Sequence, residues 1–356
     1  MAPPPSIVVR EVWEDNLEQE FSEIARVLPY HRFAAFDTEF PGEVFPANTR
    51  RHYSSWSPAE SYLHMKRNVD ATKIIQLGLA LSNAKGDSCY VWEFNFKGFD
   101  KETDLHDLES IQLLEQQGID LNKNREKGIE SKEFVRLIVN SGLLRNSNIT
   151  WVTFHGAYDF GYLIKILIGR ELPYDLMAFM RLVVHLFGYR VFDIKHIIKS
   201  CQGLYGGLDR VANTLGVHRV AGKSHQAGSD SLLTLQTIMK LNNAYFMGKF
   251  LIHFGLILHT LEVDVGRLTA PKVYGLQFRT GCHQYYQKHI FVSISNGMQD
   301  AKKHLEKTYS YKYKVVIEGD ALPDKLKLMI VHEVQFETTA ESGSKNKMAQ
   351  PSTKVT

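Results

Sequence analysis

Residues 33–40 read FAAFDTEF, a short apolar run that closes on two carboxylates, Asp37 and Glu39, with Thr38 alone between them. In an extended strand, side chains at i and i+2 leave from the same face. A strand here therefore projects both acids from one side while its other residues are buried. Two carboxylates forced together repel, and one retains a proton unless a cation lies between them. A divalent metal resolves that conflict most directly. Two solvated acids on an open strand face are the plainer alternative, and a lone D-x-E is too short to choose.

A chain of 356 residues can form one large domain or two ordinary ones. With 44% hydrophobic and 23% charged residues it reads as a soluble globular protein rather than a disordered one. A net charge of +3 says little about partners, because a sum cannot show whether positive charge gathers on one face. Cys89, Cys201 and Cys282 are odd in number and far apart, which fits a reducing compartment and no disulfide framework. The start, MAPPPSIVVREVW, lacks the pattern of a secretory signal. Residues 246–261 are too short, and too polar at Lys249, His253 and His259, to span a bilayer. The expectation is a soluble intracellular protein with no membrane association.

Taken in order, residues 16–28 place Leu17, Phe21, Ile24 and Leu28 on one helical stripe, ended by Pro29. The Asp37 strand follows, then a loop over residues 41–58. Residues 73–82 and 88–96 predict two strands of a hairpin, and residues 104–117 and 131–140 two helices with a charged linker, 121–127, between them. Residues 149–154 and 190–194 read as strands. Helices are expected over 160–168, 175–187, 208–215 and 229–241, with Gly188 as a stop signal. Early strands followed by alternating strands and helices predict an α/β protein with a mixed central sheet flanked by helices. Beyond about residue 242 the pattern weakens, although residues 309–317 and 326–336 alternate like strands. Residues 338–356 are small and polar, as a disordered tail would be.

Two further acidic positions join the D-x-E pair. Asp159, in VTFHGAYDFGYL, follows a strand and opens a helix, where a capping role is the ordinary expectation. HQAGSDSLLT carries His225 on a glycine-containing loop and Asp230 near a helix start. Each alone has a bland explanation, a loop histidine or a first-turn acid. Together, four acids and one histidine are the parts for two-metal hydrolysis of a phosphodiester, with cations about 3.5–4 Å apart clamping the attacking and leaving oxygens. An Asp/Glu set with no cysteine suits magnesium better than zinc. Histidine is the natural base near neutral pH.

The order D-x-E, Asp, H-x4-D resembles the DEDD exonucleases of the histidine subclass, which implies a ribonuclease-H-like exonuclease fold. FDTEFPG, IIQLGLALS, FHGAYDFGYL, GGLDRVANTLGV and HQAGSDSLLT are similar to the Caf/Pop-type deadenylases, the catalytic subunits of the Ccr–Not complex, in their plant-like form. The likeness runs from about residue 7 to about residue 266, and is most specific over residues 33–241. It implies a poly(A)-specific 3′→5′ exoribonuclease domain over residues 1–266, shortening mRNA tails with release of AMP. It implies two divalent cations, most simply Mg with Mn as the alternative, and location in nucleus and cytoplasm. Carried over, Asp37, Glu39 and Asp230 would hold the cation of the nucleophilic water, Asp37 and Asp159 the cation at the leaving oxygen, and His225 would be the base. Gly156 departs from the family, where serine is common. Residues 267–337 match nothing in it and read as a divergent extension.

An exonuclease of this type must grip single-stranded RNA by its backbone and stack its bases. Phe40, Phe45 and Phe160, with the basic Arg50, Lys199, Arg219 and Lys223, are the candidate contacts. The resemblance further implies the mRNA poly(A) tail, the Not scaffold and the leucine-rich-repeat Ccr nuclease as partners. A scaffold subunit with a dispensable site and a general DNA or RNA exonuclease are the competing expectations.

Overall fold

The computed structural model describes residues 7–47, 55–247, 254–264 and 268, with strand fragments 292–293, 314–316 and 328–333. Its contacts divide the chain into two compact units, Met1–Leu268 and Thr269–Thr356. In the first unit the strands are β1 (Val9–Val12), β2 (Phe33–Glu39), β3 (Gln76–Ser82), β4 (Cys89–Asn95), β5 (Thr150–Thr153) and β6 (Val191–Asp193). The helices are α1 (Leu17–Val27), α2 (Pro58–Ala71), α3 (Leu108–Gln117), α4 (Leu121–Lys127), α5 (Ser131–Asn140), α6 (Ala157–Ile168), α7 (Leu176–Phe187), α8 (Ile194–Ile197), α9 (Leu208–Thr214) and α10 (Ala227–Phe246).

The six strands form one mixed sheet in the order β1-β4-β3-β2-β5-β6. β2, β3 and β4 are antiparallel neighbours, whereas β1 joins β4, and β5 joins β2 and β6, in parallel. Period-two alternation sorts side chains by size. Phe36, Leu79, Trp92 and Trp151 point into a large core with α1, α2, α5, α6 and α7. Their strand neighbours Ala35, Ala80, Val91 and Val152 form a second core with Leu232, Leu235 and Ile238 of α10. Small residues on that face let α10 lie close to the sheet. At Gly78 the approach is so tight that a Cβ would sit 1.9 Å from the Ala227 carbonyl oxygen. Gly78→Ala is therefore expected to push the start of α10 outward and cost about 1–3 kcal/mol, the usual effect of overpacking. Chemical denaturation checks this, and an unchanged midpoint contradicts it.

The expected α/β sheet is present, with three differences in detail. The loop expected over residues 41–58 gives way to α2 at Pro58. Ser57 accepts from the Glu60 backbone N–H, Glu60 answers in a capping box, and proline at the first position needs no N–H partner. The charged stretch 121–127 is the helix α4 rather than a linker, capped by Asp120 and anchored by buried Leu121 and Asn124. Val9–Val12 is an additional edge strand, paired with β4. Among the described residues no helix is long and apolar enough to cross a membrane.

In the second unit, Val292–Ser293, Lys314–Val316 and Leu328–Glu333 make a three-stranded antiparallel sheet with the last of these in the centre. The tail over residues 338–356 lies outside the described residues.

Candidate active site

β2 ends between β3 and the short β5. Asp37 stands opposite Gly78, and Glu39 opposite Gln76. Both share the parity of Ala35, so they emerge on the face that α10 covers. Thr38 has the other parity and meets α6. Pairing of β2 with β5 stops at Ala35 and Val152, which leaves the end of β2 without a strand on that side. Asp159 fills the gap: its Oδ1 accepts from the Thr38 backbone N–H at 2.8 Å and from Thr38 Oγ1 at 2.6 Å. The acid expected to cap α6 instead reaches across to the strand of the D-x-E pair. α6 starts at Gly156 with no side-chain cap at all.

The turn that delivers Asp159 is held by another carboxylate. Asp193, fully buried at the end of β6, accepts from the backbone N–H groups of His155 (2.9 Å), Gly156 (3.1 Å), Lys195 (2.9 Å) and His259 (2.9 Å). His155 adopts φ 65°, a left-handed conformation this anchoring stabilises. A side chain at Gly156 would collide with Thr153, its Cβ 2.2 Å from Oγ1, so Thr153 occupies the space a serine there would need.

α10 supplies Asp230 in its first turn. This helix also lacks a local side-chain cap, and the sheet supplies one in its place. Gly228 N–H donates to Glu93 Oε2 at 3.0 Å and Ala227 N–H to Gln76 Oε1 at 3.4 Å, while Gln76 Nε2 bridges Glu93 and Asn95. Asp230 Oδ2 accepts from the His225 backbone N–H at 2.9 Å, which holds His225 at φ 59° with its ring exposed. Glu39, His225 and Asp230 each bring one ligand atom within 4.8 Å of the others.

Burial first, and then Asp159, Glu39 and Asp230, push the Asp37 carboxyl well above its ordinary range. Burial followed by Asp230, Asp159 and Glu93 does the same at Glu39. Asp159 is raised to about 7, by burial against the opposing pull of its Thr38 hydrogen bonds. Asp230 is raised by burial and restrained by Arg219.

The CAF1 family ribonuclease model matches residues 12–136. The probable CCR4-associated factor 1 homolog 7 of Arabidopsis thaliana is 45% identical over 277 residues, covering 74% of this chain and 96% of the relative. The chain belongs to the CAF1 ribonuclease family. Among solved structures, S. pombe Pop2p in its Mg2+ and Mn2+ bound form is 38% identical with a TM-score of 0.66, covering 71% of this chain and 99% of that one. CAF1 from a co-crystal with the yeast NOT1 MIF4G domain is 30% identical, TM-score 0.58, covering 72% and 99%. The sheet order and these likenesses make the fold ribonuclease-H-like.

In this CAF1-family chain the residues fit divalent cations. Buried carboxylates that repel one another, with one imidazole at the mouth, are a hard-cation donor set rather than a thiolate one. Of the predicted residues, Glu39, Asp230 and His225 come within ligand distance of one another, and Asp37 and Asp159 lie near enough to act on them by charge. The candidate RNA contacts fare differently. Phe160 is fully buried, edge-on to Phe36 and Phe187, so it is a core residue and no stacking platform. Phe40 is half-buried and stacks on Tyr158 and Tyr162. Phe45 lies under the Arg67 guanidinium, 4.0 Å from it. Lys199 is exposed but pairs with Glu262 at 2.8 Å, and Lys223 is exposed on the His225 loop. Arg50 lies outside the described residues. Arg219 packs against Asp230 itself, at 2.6 Å. Sequence reasoning missed Gln76, Glu93 and Asp193, whose partners lie far along the chain. Their one signal was polarity inside apolar strands.

Proposed function

We propose that this protein is a poly(A)-specific 3′→5′ exoribonuclease that removes AMP from mRNA tails. The observation that carries the reading is that Glu39, Asp230 and His225 bring ligand atoms together, with Asp37 and Asp159 close enough for their charges to press on the same cluster. Asp37, Glu39 and Asp230 would hold one divalent cation, and Asp37 with Asp159 the second. When bound, such ions lower the pKa of a water and stabilise charge on the leaving oxygen. A ring nitrogen of His225 takes the proton of the attacking water, and its exposure lets that proton pass to solvent. The Asp230 bond to the His225 backbone fixes the loop position from which the ring projects. The CAF1 co-crystal with NOT1 supports a Not-type scaffold as partner, and the name of the CCR4-associated relative supports a Ccr-type nuclease as a second one.

An RNA labelled at its 5′ end and ending in adenylates provides the test. With Mg the expected product is a ladder that stalls at the first non-A nucleotide, and EDTA abolishes it. Shortening that continues through a mixed-sequence body at equal speed removes the poly(A) preference. A folded protein with no activity that still binds the scaffold favours a purely bridging role.

A further inference from the structure

Arg219 is a cation built into the acidic cluster. Its side chain is 14% exposed and that of Asp230 11%, and Nη1 lies 2.6 Å from Asp230 Oδ1. The same nitrogen donates to Ser229 Oγ at 2.6 Å and to the Lys223 carbonyl at 3.3 Å, while Nη2 pairs with Asp209 Oδ1 at 2.9 Å. Asp230 Oδ2 is taken by the His225 N–H, whereas the buried Oδ1 has the guanidinium charge 2.6 Å away but no hydrogen bond of its own, which leaves it open to a competing cation. Arg219 also opposes the charge build-up at Asp37 and Glu39. Its remaining anchors all lie on the 219–229 segment or on Asp209 of α9, so the guanidinium can leave Asp230 without losing its hold on the protein.

We propose that Arg219 competes with a divalent cation for Asp230 Oδ1, and so sets how tightly the site loads its metal. The inference rests on the metal-dependent reading given above, and it makes Arg219 a positioning residue rather than an RNA contact. A fixed positive charge beside a carboxylate weakens binding of a second cation there by simple repulsion. Held by Ser229, Asp209 and the Lys223 carbonyl, the guanidinium also keeps the His225 loop in register with α10.

Mn2+ binding to the full chain, read from the electron-paramagnetic-resonance signal of free Mn2+, tests this without any turnover. Arg219→Gln is expected to bind Mn2+ on the order of fivefold more tightly than the wild type, since one unit of charge repulsion near a protein surface is worth about 1 kcal/mol. Arg219→Lys keeps the charge and is expected to stay within about twofold of the wild type. Equal or weaker binding by a folded Arg219→Gln overturns the proposal. If that variant does not fold, Asp209→Asn, at an exposed position on the far side of the guanidinium, runs the competition in reverse. It removes the carboxylate that shares the guanidinium's charge with Asp230, so Mn2+ should bind about twofold more weakly at 0.15 M salt, where long-range charge is screened. Unchanged affinity in Asp209→Asn also overturns the proposal. A wild type that binds no Mn2+ overturns both this inference and the metal-dependent reading, whereas wild-type binding with no response in the variants overturns this inference alone.

Discussion

Asp37→Asn is expected to lose on the order of 10⁴-fold in exonuclease rate, as for residues that act as a unit with their neighbours, while the protein becomes harder to unfold in EDTA. Both effects come from one position. Asp37 is the side chain shared by both proposed cations, and it is also the acid on which Asp159, Glu39 and Asp230 all press. An amide keeps the shape of the carboxylate but removes its charge, so the remaining acids are relieved by on the order of 1 kcal/mol. Gel assays of tail shortening and thermal unfolding in EDTA measure the two effects on the same samples. A variant that loses activity and stability together indicates a misfolded site instead. A variant that keeps full activity ends the two-cation reading.

Without divalent cations, stability is expected to fall as pH rises from about 4 to about 7. Asp159 has an ordinary carboxyl value of 3.8 and a folded value of about 7. Between those values the folded state binds more protons than the unfolded chain, so each step up in pH favours unfolding. Below pH 4 the carboxyl is protonated in both states and its contribution vanishes. Above pH 7 the full penalty is present, on the order of a few kcal/mol, and Asp37 and Glu39 act in the same direction. A divalent ion binds the ionised carboxylates and reverses the effect. Melting temperatures in EDTA should therefore drop between pH 5 and pH 8, and the gain on adding Mg2+ should be larger at pH 8 than at pH 5. A flat pH profile in EDTA, or a Mg2+ gain larger at pH 5, contradicts the clustered-acid description.

The sheet could be read from the chain because β2, β3 and β4 alternate and β5 and β6 are short apolar runs. The D-x-E pair was legible for the same reason: period two puts Asp37 and Glu39 on one face whatever surrounds them. Asp159 and Asp230 were found through the order of their motifs, but what they do locally was not foreseen. Asp159 looked like a helix cap and bonds Thr38 of another strand instead. α4 escaped because it buries only Leu121 and Asn124, too little for a helical stripe. α2 carried a readable capping box at Ser57 and Glu60, hidden because Pro58 reads as a loop end as easily as a helix start. Phe160 is apolar and beside an active-site acid, and only packing against Phe36 and Phe187 shows that it turns inward. Asp193 acts on residues that the sequence separates and the fold brings together, whereas Arg219 acts on near neighbours in the chain whose burial only the fold reveals.

Asp193 has one more consequence. Three of its four N–H donors come from residues 155, 156 and 195, but the fourth comes from His259, beyond α10. Around His259, Leu256 bonds to Val191 and the side chains of Leu256, Leu258 and Leu261 enter the large core. A polypeptide leaving the ribosome has Asp37, Glu39, Asp159, His225 and Asp230 in hand before residue 259 emerges, yet the turn beneath Asp159 is still one bond short. A message truncated just after α10 would encode all five of those residues without the latch that fastens them. The nuclease unit is thus fastened only once the residues just past α10 have been made, although all five of those side chains precede them.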